Sequence, residues 1–209
     1  MLGAWKAADG TEDDPVIIFT TESTVRIVKG TMTLESDVTY GEDSLGNKSI
    51  ATSCSAFYGQ SVYKIDGDVL TISTPVTDDD GKVESFNDVV YNAVHYTPIT
   101  LEAKSDFTPD KDLVGVWSYA ATREVYEFTE DGYVIITVDA FNGNDEDNTT
   151  LGTYTVNDGE LTVYIYANST DEISETQSYS IDGTKLLIGE SDYYLNGEGD
   201  PSDNITITE

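Results

Sequence analysis

The sequence is poor in cysteine, in basic residues and in long apolar runs. Its 209 residues include a single cysteine, so no disulfide can form within the chain. Ten Lys and Arg stand against 40 Asp and Glu, which gives a formal net charge of -30. Because phosphate binding needs clustered Lys and Arg, this balance argues against nucleic acid as a partner and disfavours anionic membrane surfaces. No apolar run approaches the ~20 residues that a membrane-spanning helix needs.

The residues of common catalytic motifs are also scarce. His95 is the one histidine, and although Ser85 and Asp88 lie near it in sequence, nothing indicates that the three converge as a triad. The chain has no Gly-x-Ser-x-Gly, no phosphate-binding loop and no His-Glu-x-x-His pattern. We therefore predict a protein that is not an enzyme and has no cofactor. Cys54 is interpreted as a small, semi-buried apolar residue rather than a reactive thiol.

Two stretches of the chain repeat in the same order. Gly3-Ala4-Trp5 recurs as Gly115-Val116-Trp117, and the segment from Tyr63 to Ile72 (YKIDGDVLTI) recurs from Tyr179 to Ile188 (YSIDGTKLLI). The tryptophan precedes the matching tyrosine by 58 residues in the first copy (5 to 63) and by 62 in the second (117 to 179). Conserved order and spacing indicate an internal duplication.

The duplication predicts two homologous domains. The first comprises residues 1–104 and the second residues 112–209. Residues 105–111 form a short polar segment whose Pro109 interrupts any strand, so we interpret this segment as a linker.

Each half shows the alternation that is typical of strands. The run 161–166 places Leu161, Val163 and Ile165 on one face and Thr162, Tyr164 and Tyr166 on the other. Asp-Gly and Asn-Asp-Gly turns separate such runs, which favours antiparallel hairpins. The run 89–95 fits a helix stripe or a strand face, and we favour the strand.

About eight short strands per ~100 residues, each with one apolar face, allow a sandwich or a closed barrel. A meander of hairpins favours the barrel, because closure removes both exposed sheet edges. The predicted fold class is therefore all-β, with two tandem antiparallel up-and-down barrels of about eight strands each.

Four motifs of the second half resemble a known family. They are Leu113-Val114-Gly115-Val116-Trp117, Phe128-Thr129-Glu130-Asp131-Gly132, Gly152-Thr153-Tyr154-Thr155-Val156 and Leu186 to Ile188. Together they resemble the small lipocalin-like domains of uncharacterised bacterial secreted proteins and lipoproteins. The resemblance implies eight-stranded barrels in which the tryptophan of Gly-x-Trp packs across the closed end.

The structural residues and the location follow from these observations. Trp5 and Trp117 are expected to be buried in the core, with Gly3 and Gly115 as structural residues beside them, because equivalent aromatic residues of a repeat at the start of a strand usually pack.

The composition, rich in Thr, Ser, Asn, Asp, Gly and Tyr, is associated with exported bacterial proteins. We expect an extracellular or cell-surface protein whose signal peptide has been removed.

Tyr164 and Tyr166 are the candidate ligand-binding residues. If their row faces outward, it offers an aromatic platform for a sugar ring or a protein partner. If it faces inward, it lines a pocket. The alternative is cross-strand Tyr/Thr pairing that stabilises the sheet and does nothing else.

Two acidic clusters are candidates for weak calcium binding. They are Asp78-Asp79-Asp80 and Asp145-Glu146-Asp147. Both lack the alternating ligand spacing of a calcium loop, so solvated turns are the simpler interpretation. No tight metal site is predicted.

The sequence favours a non-catalytic binding or display module at a bacterial surface, with an unknown protein, glycan or small ligand as partner. The alternative is a carrier of a small hydrophobic ligand in the barrel interior. With 11% aromatic residues and ~100 residues per half, we expect interiors filled by side chains rather than open cavities.

Overall fold

The computed structural model describes residues 1–21, 23–43, 45–52, 59–119, 124–139 and 146–196. Within these ranges every regular element is a strand and no residue is helical. Cys54 lies outside the described residues. The chain divides into two compact units. The first comprises Met1–Lys29, Thr33–Pro98 and residues 146–147, and the second comprises Gly30–Met32, Ile99–Asp139 and the described chain from Asn148 onward.

Eight strands lie in the first half of the chain. They are β1 (Gly3–Ala7), β2 (Val16–Phe19), β3 (Thr24–Lys29), β4 (Met32–Glu42), β5 (Lys48–Thr52), β6 (Gly59–Asp66), β7 (Val69–Thr77) and β8 (Val83–Val94). Strands that follow one another in the chain are neighbours in the sheet. In addition, β1 pairs antiparallel with β8, which places Trp5 opposite Ala93.

Eight further strands lie in the second half. They are β9 (Gly115–Tyr119), β10 (Glu124–Phe128), β11 (Tyr133–Asp139), β12 (Glu146–Asn157), β13 (Glu160–Tyr166), β14 (Glu172–Asp182), β15 (Lys185–Ile188) and β16 (Ser191–Leu195). Each pairs with the next, and β16 pairs back to β9 with Leu195 opposite Trp117, so these eight strands close into an antiparallel barrel. The predictions of an all-β chain and of an eight-stranded antiparallel barrel are confirmed.

Tight turns connect the strands where the sequence predicts them. Between β12 and β13, Asp158 and Gly159 have φ values of +50° and +81°. Positive φ at both central residues is the requirement of the turn whose twist matches that of paired strands. The run 83–94 is the strand β8, as favoured, and Val89 and Tyr91 pack toward the core of the first unit. His95 follows β8 directly and is exposed.

Each unit contains one buried cluster centred on its tryptophan. Trp5 is 5% exposed and Trp117 is 1% exposed. Trp5 packs with Phe19, Val25 and Leu70 in the first unit. The second cluster contains, besides Trp117, the buried residues Leu113, Phe128, Val134, Tyr154, Leu161, Leu186, Ile188 and Tyr193.

The Gly-x-Trp motif makes the same local contact in both units. The indole Nε1 of Trp5 donates a hydrogen bond to the carbonyl of Met1 at 3.2 Å, and that of Trp117 donates to the carbonyl of Leu113 at 2.7 Å. In each case the acceptor lies four residues before the tryptophan. The glycines between donor and acceptor, Gly3 and Gly115, have φ values of +129° and +146°, a conformation that other residues rarely adopt. Glycine is therefore required for the chain to bend back under the indole.

Substitution of these glycines should destabilise the two units unequally. Gly3→Ala and Gly115→Ala each force an unfavourable φ, at a cost of about 1–3 kcal/mol. A Cβ on Gly115 would also lie 3.0 Å from Cδ1 of Leu195, whereas one on Gly3 would meet only Nε1 of Trp5, at 3.9 Å. Calorimetric melting of the full chain should therefore show the larger loss for Gly115→Ala. An equal or smaller loss at Gly115 would contradict this account of the motif.

Candidate ligand cavity in the second unit

The segment before β9 packs against one end of the barrel. The ring of Phe107 lies 5.1 Å from that of Tyr154 in an edge-on arrangement. The hydroxyl of Tyr179 donates a hydrogen bond to Oδ2 of Asp110 at 2.7 Å, and Leu113 is fully buried. Residues 105–111, interpreted from the sequence as a linker, thus belong to the second compact unit and help to close its barrel at this end.

Aromatic side chains fill the interior at the closed end. Phe128 and Tyr154 pack edge to face with ring centroids 5.0 Å apart, beside Trp117. The hydroxyl of Tyr154 donates to the carbonyl of Thr129 at 2.9 Å. Burial raises the pKa of Tyr154 to about 12, and the carboxylates of Asp110 and Asp131 act in the same direction. Buried side chains therefore occupy the interior at this end of the barrel.

A carboxylate and two tyrosines meet further along the barrel. Glu124 accepts one hydrogen bond on each oxygen, from Tyr126 at 3.2 Å and from Tyr193 at 3.0 Å. The two rings pack edge to face at 5.2 Å. Burial, together with the charge of Glu124, raises the pKa of both tyrosines well above the ordinary value. Both tyrosines therefore keep their hydroxyl protons and donate them in hydrogen bonds to Glu124.

Next to Tyr126, the second unit contains a cavity of about 310 Å³. Its apolar wall consists of aliphatic side chains, namely Ile136, Leu161, Val163, Ile165, Ile173 and Ile188. Its polar lining consists of Tyr126, Ser174, Glu175 and Gln177. The register explains most of this set, because β13 and β14 pair Leu161 with Gln177, Val163 with Glu175 and Ile165 with Ile173. Directly paired residues of two strands lie on the same face of the sheet.

The cavity is buried at one end and open at the other. Leu161 and Ile188 are 2% and 6% exposed, whereas Ile173 near the start of β14 is 49% exposed. Glu175 is also exposed, and its Oε1 accepts a hydrogen bond from Nε2 of Gln177 at 2.6 Å. A ligand would therefore enter past Ile173 and Glu175 and place its apolar part against Leu161 and Ile188.

The size of the cavity suits a small molecule. An engineered apolar cavity of ~150 Å³ holds one benzene, so 310 Å³ corresponds to roughly two fused rings. Known ligand pockets begin at about this volume. The cavity differs from the filled interior that the sequence predicts. Aliphatic side chains line the cavity, whereas aromatic side chains fill the closed end of the barrel. Glu175 and Gln177, which line the cavity, were not identified from the sequence, since residues 174–178 of β14 are polar on both faces.

Tyr164 and Tyr166 lie on the face of β13 opposite the cavity wall. Tyr164 is half-buried beneath Lys104, whose Nζ is 4.2 Å from the ring centroid, and its hydroxyl lies 3.4 Å from Oγ1 of Thr155. Tyr166 is also half-buried, and its backbone exchanges two hydrogen bonds with Thr31 of the same compact unit, at 3.1 and 2.9 Å. Neither tyrosine lines the cavity, and binding by this row stays a prediction.

The first acidic cluster forms a hairpin turn. Oδ1 of Asp78 accepts hydrogen bonds from the backbone N–H groups of Asp80 and Lys82, at 3.1 and 2.8 Å. In the part of the chain that the structure describes, no three His, Cys, Asp or Glu side chains are grouped to hold a metal ion. Asp145 of the second cluster lies outside the described residues, so calcium binding there stays a prediction.

No protein-family model matches the chain, and no curated protein matches it. The lipocalin-like resemblance therefore stays a prediction that depends on the motifs quoted above. Over the described ranges, none of the chain forms a helix long and apolar enough to cross a membrane.

Proposed function

We propose that the protein is a non-catalytic binding module and that its second unit holds a small, largely apolar ligand inside the barrel. The observation that carries this proposal is the cavity of about 310 Å³ with its six aliphatic wall residues. Transfer of apolar ligand surface from water onto such a wall contributes about 25 cal/mol per Å². We therefore favour a carrier of a small ligand over a display module.

The polar lining supports binding rather than conversion. Among the ten lining residues, Tyr126 and Glu175 are the titratable ones. The hydroxyl of Tyr126 is bonded to Glu124, and Glu175 lies at the exposed end of the cavity. Acid–base catalysis needs a group positioned at the reacting atoms together with a partner of complementary protonation state. We propose that these groups orient a ligand and leave it chemically unchanged.

We further propose that both halves are copies of one barrel and that the protein acts outside the bacterial cell. The repeated tryptophan–carbonyl hydrogen bond supports the duplication. The pairings of β1 with β8 and of β4 with β5 support a closed arrangement of the first eight strands. The extracellular location is supported by the composition alone.

Filling the cavity should abolish binding without unfolding the protein. Val163→Phe places a ring in the cavity, and cavity-filling substitutions commonly stabilise by about 0.5–2 kcal/mol. We expect tryptophol, a neutral indole alcohol of two fused rings, to shift backbone amide signals around the cavity in the wild-type full chain and not in the variant. Amide-detected NMR titration measures this.

Val116→Phe is the matched control, because Val116 is 36% exposed and precedes Trp117, so its side chain lies on the other face of β9. The control should bind tryptophol like the wild type. Undiminished binding by Val163→Phe, or the absence of binding by the wild type, would refute the proposed function.

A further inference from the structure

We infer that the cavity selects a ligand with an ammonium group over a neutral or anionic ligand of the same shape. This inference depends on the proposed function and specifies its ligand class. The observation behind it is the polar lining, which offers hydrogen-bond acceptors and a negative charge at the mouth. An ammonium group is its chemical complement, because it carries three donors, no acceptor and a positive charge.

Two donor groups of the lining, the hydroxyl of Tyr126 and the amide of Gln177, already donate a hydrogen bond within the protein. The hydroxyl proton of Tyr126 is donated to Glu124. The amide nitrogen of Gln177 donates one of its two N–H hydrogens to Oε1 of Glu175. No described residue donates a hydrogen bond to the second carboxylate oxygen of Glu175, Oε2. A ligand head group therefore meets the Glu175 carboxylate at the mouth of the cavity.

The charges around the cavity also favour a cationic ligand. None of the ten lining residues is Lys or Arg. Lys104 forms an ion pair with Glu172 and packs on Tyr164, on the sheet face opposite the cavity wall, and Lys185 forms one with Asp192 at 2.8 Å. A carboxylate ligand would instead meet Glu175 and the net charge of -30.

Three probes with the same indole ring and a two-carbon side chain test this selection. They are tryptamine, tryptophol and indole-3-acetate, which carry an ammonium, a hydroxyl and a carboxylate. We expect tryptamine to bind the full chain about fivefold more tightly than tryptophol, since an exposed ion pair contributes up to about 1 kcal/mol. Indole-3-acetate should bind most weakly. Amide-detected NMR titration at neutral pH gives all three dissociation constants.

Glu175→Gln separates the local carboxylate from the overall charge. We expect it to weaken tryptamine binding about fivefold and to change tryptophol binding by less than about twofold. Glu127→Gln is the control, because it changes the net charge by the same amount at an exposed position on the outer face of β10. This control should leave tryptamine binding within about twofold of the wild type.

The outcomes distinguish the inference from the function on which it depends. If tryptophol binds to the wild type and not to Val163→Phe, yet indole-3-acetate binds as tightly as tryptamine, the cavity binds ligands and the ammonium selection is wrong. If Glu127→Gln weakens tryptamine as much as Glu175→Gln, the selection does not come from the cavity and the inference is overturned. If none of the probes binds to the folded protein, both proposals fail.

Discussion

Replacement of Trp117 by alanine should lower the free energy of unfolding of the second unit by about 3–5 kcal/mol. Trp117 is 1% exposed and is one of the largest fully buried side chains of the described structure. Its removal leaves a cavity among Phe128, Leu186 and Tyr193, because the closed barrel around it cannot collapse into the space. It also leaves the carbonyl of Leu113 without the indole donor.

Two further variants separate the packing of Trp117 from its hydrogen bond. Trp117→Phe keeps much of the ring volume and loses the N–H donor, so its cost should be smaller, about 1–3 kcal/mol. Trp5→Ala is the equivalent change in the first unit, where the bond to Met1 is longer, at 3.2 Å. Urea denaturation followed by circular dichroism measures all three. A free energy of unfolding of Trp117→Ala within about 1 kcal/mol of the wild type would contradict the burial of this side chain.

Raising the pH from about 10 to about 12 should unfold the second unit. The pKa values of Tyr154 and Tyr179 are raised to about 12, and those of Tyr126 and Tyr193 are raised further, with burial as the first cause in each case. An unfolded tyrosine titrates near ~10. The pKa values of these tyrosines are higher in the folded protein than in the unfolded protein. Their protonated hydroxyls therefore stabilise the fold fully below about pH 10, and this stabilisation is lost as the pH rises toward the pKa values of the folded protein.

The expected loss is large compared with the stability of a small domain. For the fully buried Tyr154 alone, a shift of ~2 pKa units corresponds to about 2–3 kcal/mol. Such domains are stable by only ~5–15 kcal/mol. Phenolate absorbance and circular dichroism, recorded through the same titration, should show two groups of tyrosines. One group, Tyr126, Tyr154, Tyr179 and Tyr193, should ionise only together with the loss of the circular dichroism signal, because burial raises the pKa of each.

Tyr154→Phe is the control for the alkaline transition. It removes the ionisable hydroxyl and its bond to Thr129, so the variant should lose about 1 kcal/mol at neutral pH. Its free energy of unfolding should then depend less steeply on pH than that of the wild type. A single ionisation step of all 14 tyrosines near pH ~10, with the circular dichroism signal unchanged, would show that these side chains are not buried.

The strands could be predicted from the sequence because their signals are local. Alternating apolar residues indicated β13, and Asp158-Gly159 indicated the turn before it. The repeated Gly-x-Trp motif could be recognised, since glycine at positive φ and the tryptophan it serves are two residues apart. Each of these features depends on neighbours in the chain, so one sequence was sufficient.

The cavity could not be predicted, because it depends on which side chains face each other across the barrel. Glu175 and Gln177 lie in the middle of β14, where residues 174–178 are polar on both faces. The register with β13 places them on the same face as Val163 and Leu161. The same reason applies to Tyr164, because Lys104, which packs on its ring, is distant from it in the sequence.

The segment before β9 shows the same limit of sequence reasoning. Its polar composition and Pro109 are typical of a linker, and both remain true of it. Its contacts with the barrel come from Phe107 and from Asp110, which bonds to Tyr179 across 69 positions of the chain. Contacts between such distant residues leave no pattern in a single sequence.

A crystal structure of the full chain under xenon pressure tests the central claim most directly. Xenon enters empty apolar cavities and leaves filled ones unoccupied. We predict at least one xenon atom in the second unit, in contact with Ile136, Leu161 and Val163. Side chains packed continuously through this space, with no xenon bound among them, would contradict the proposed binding cavity.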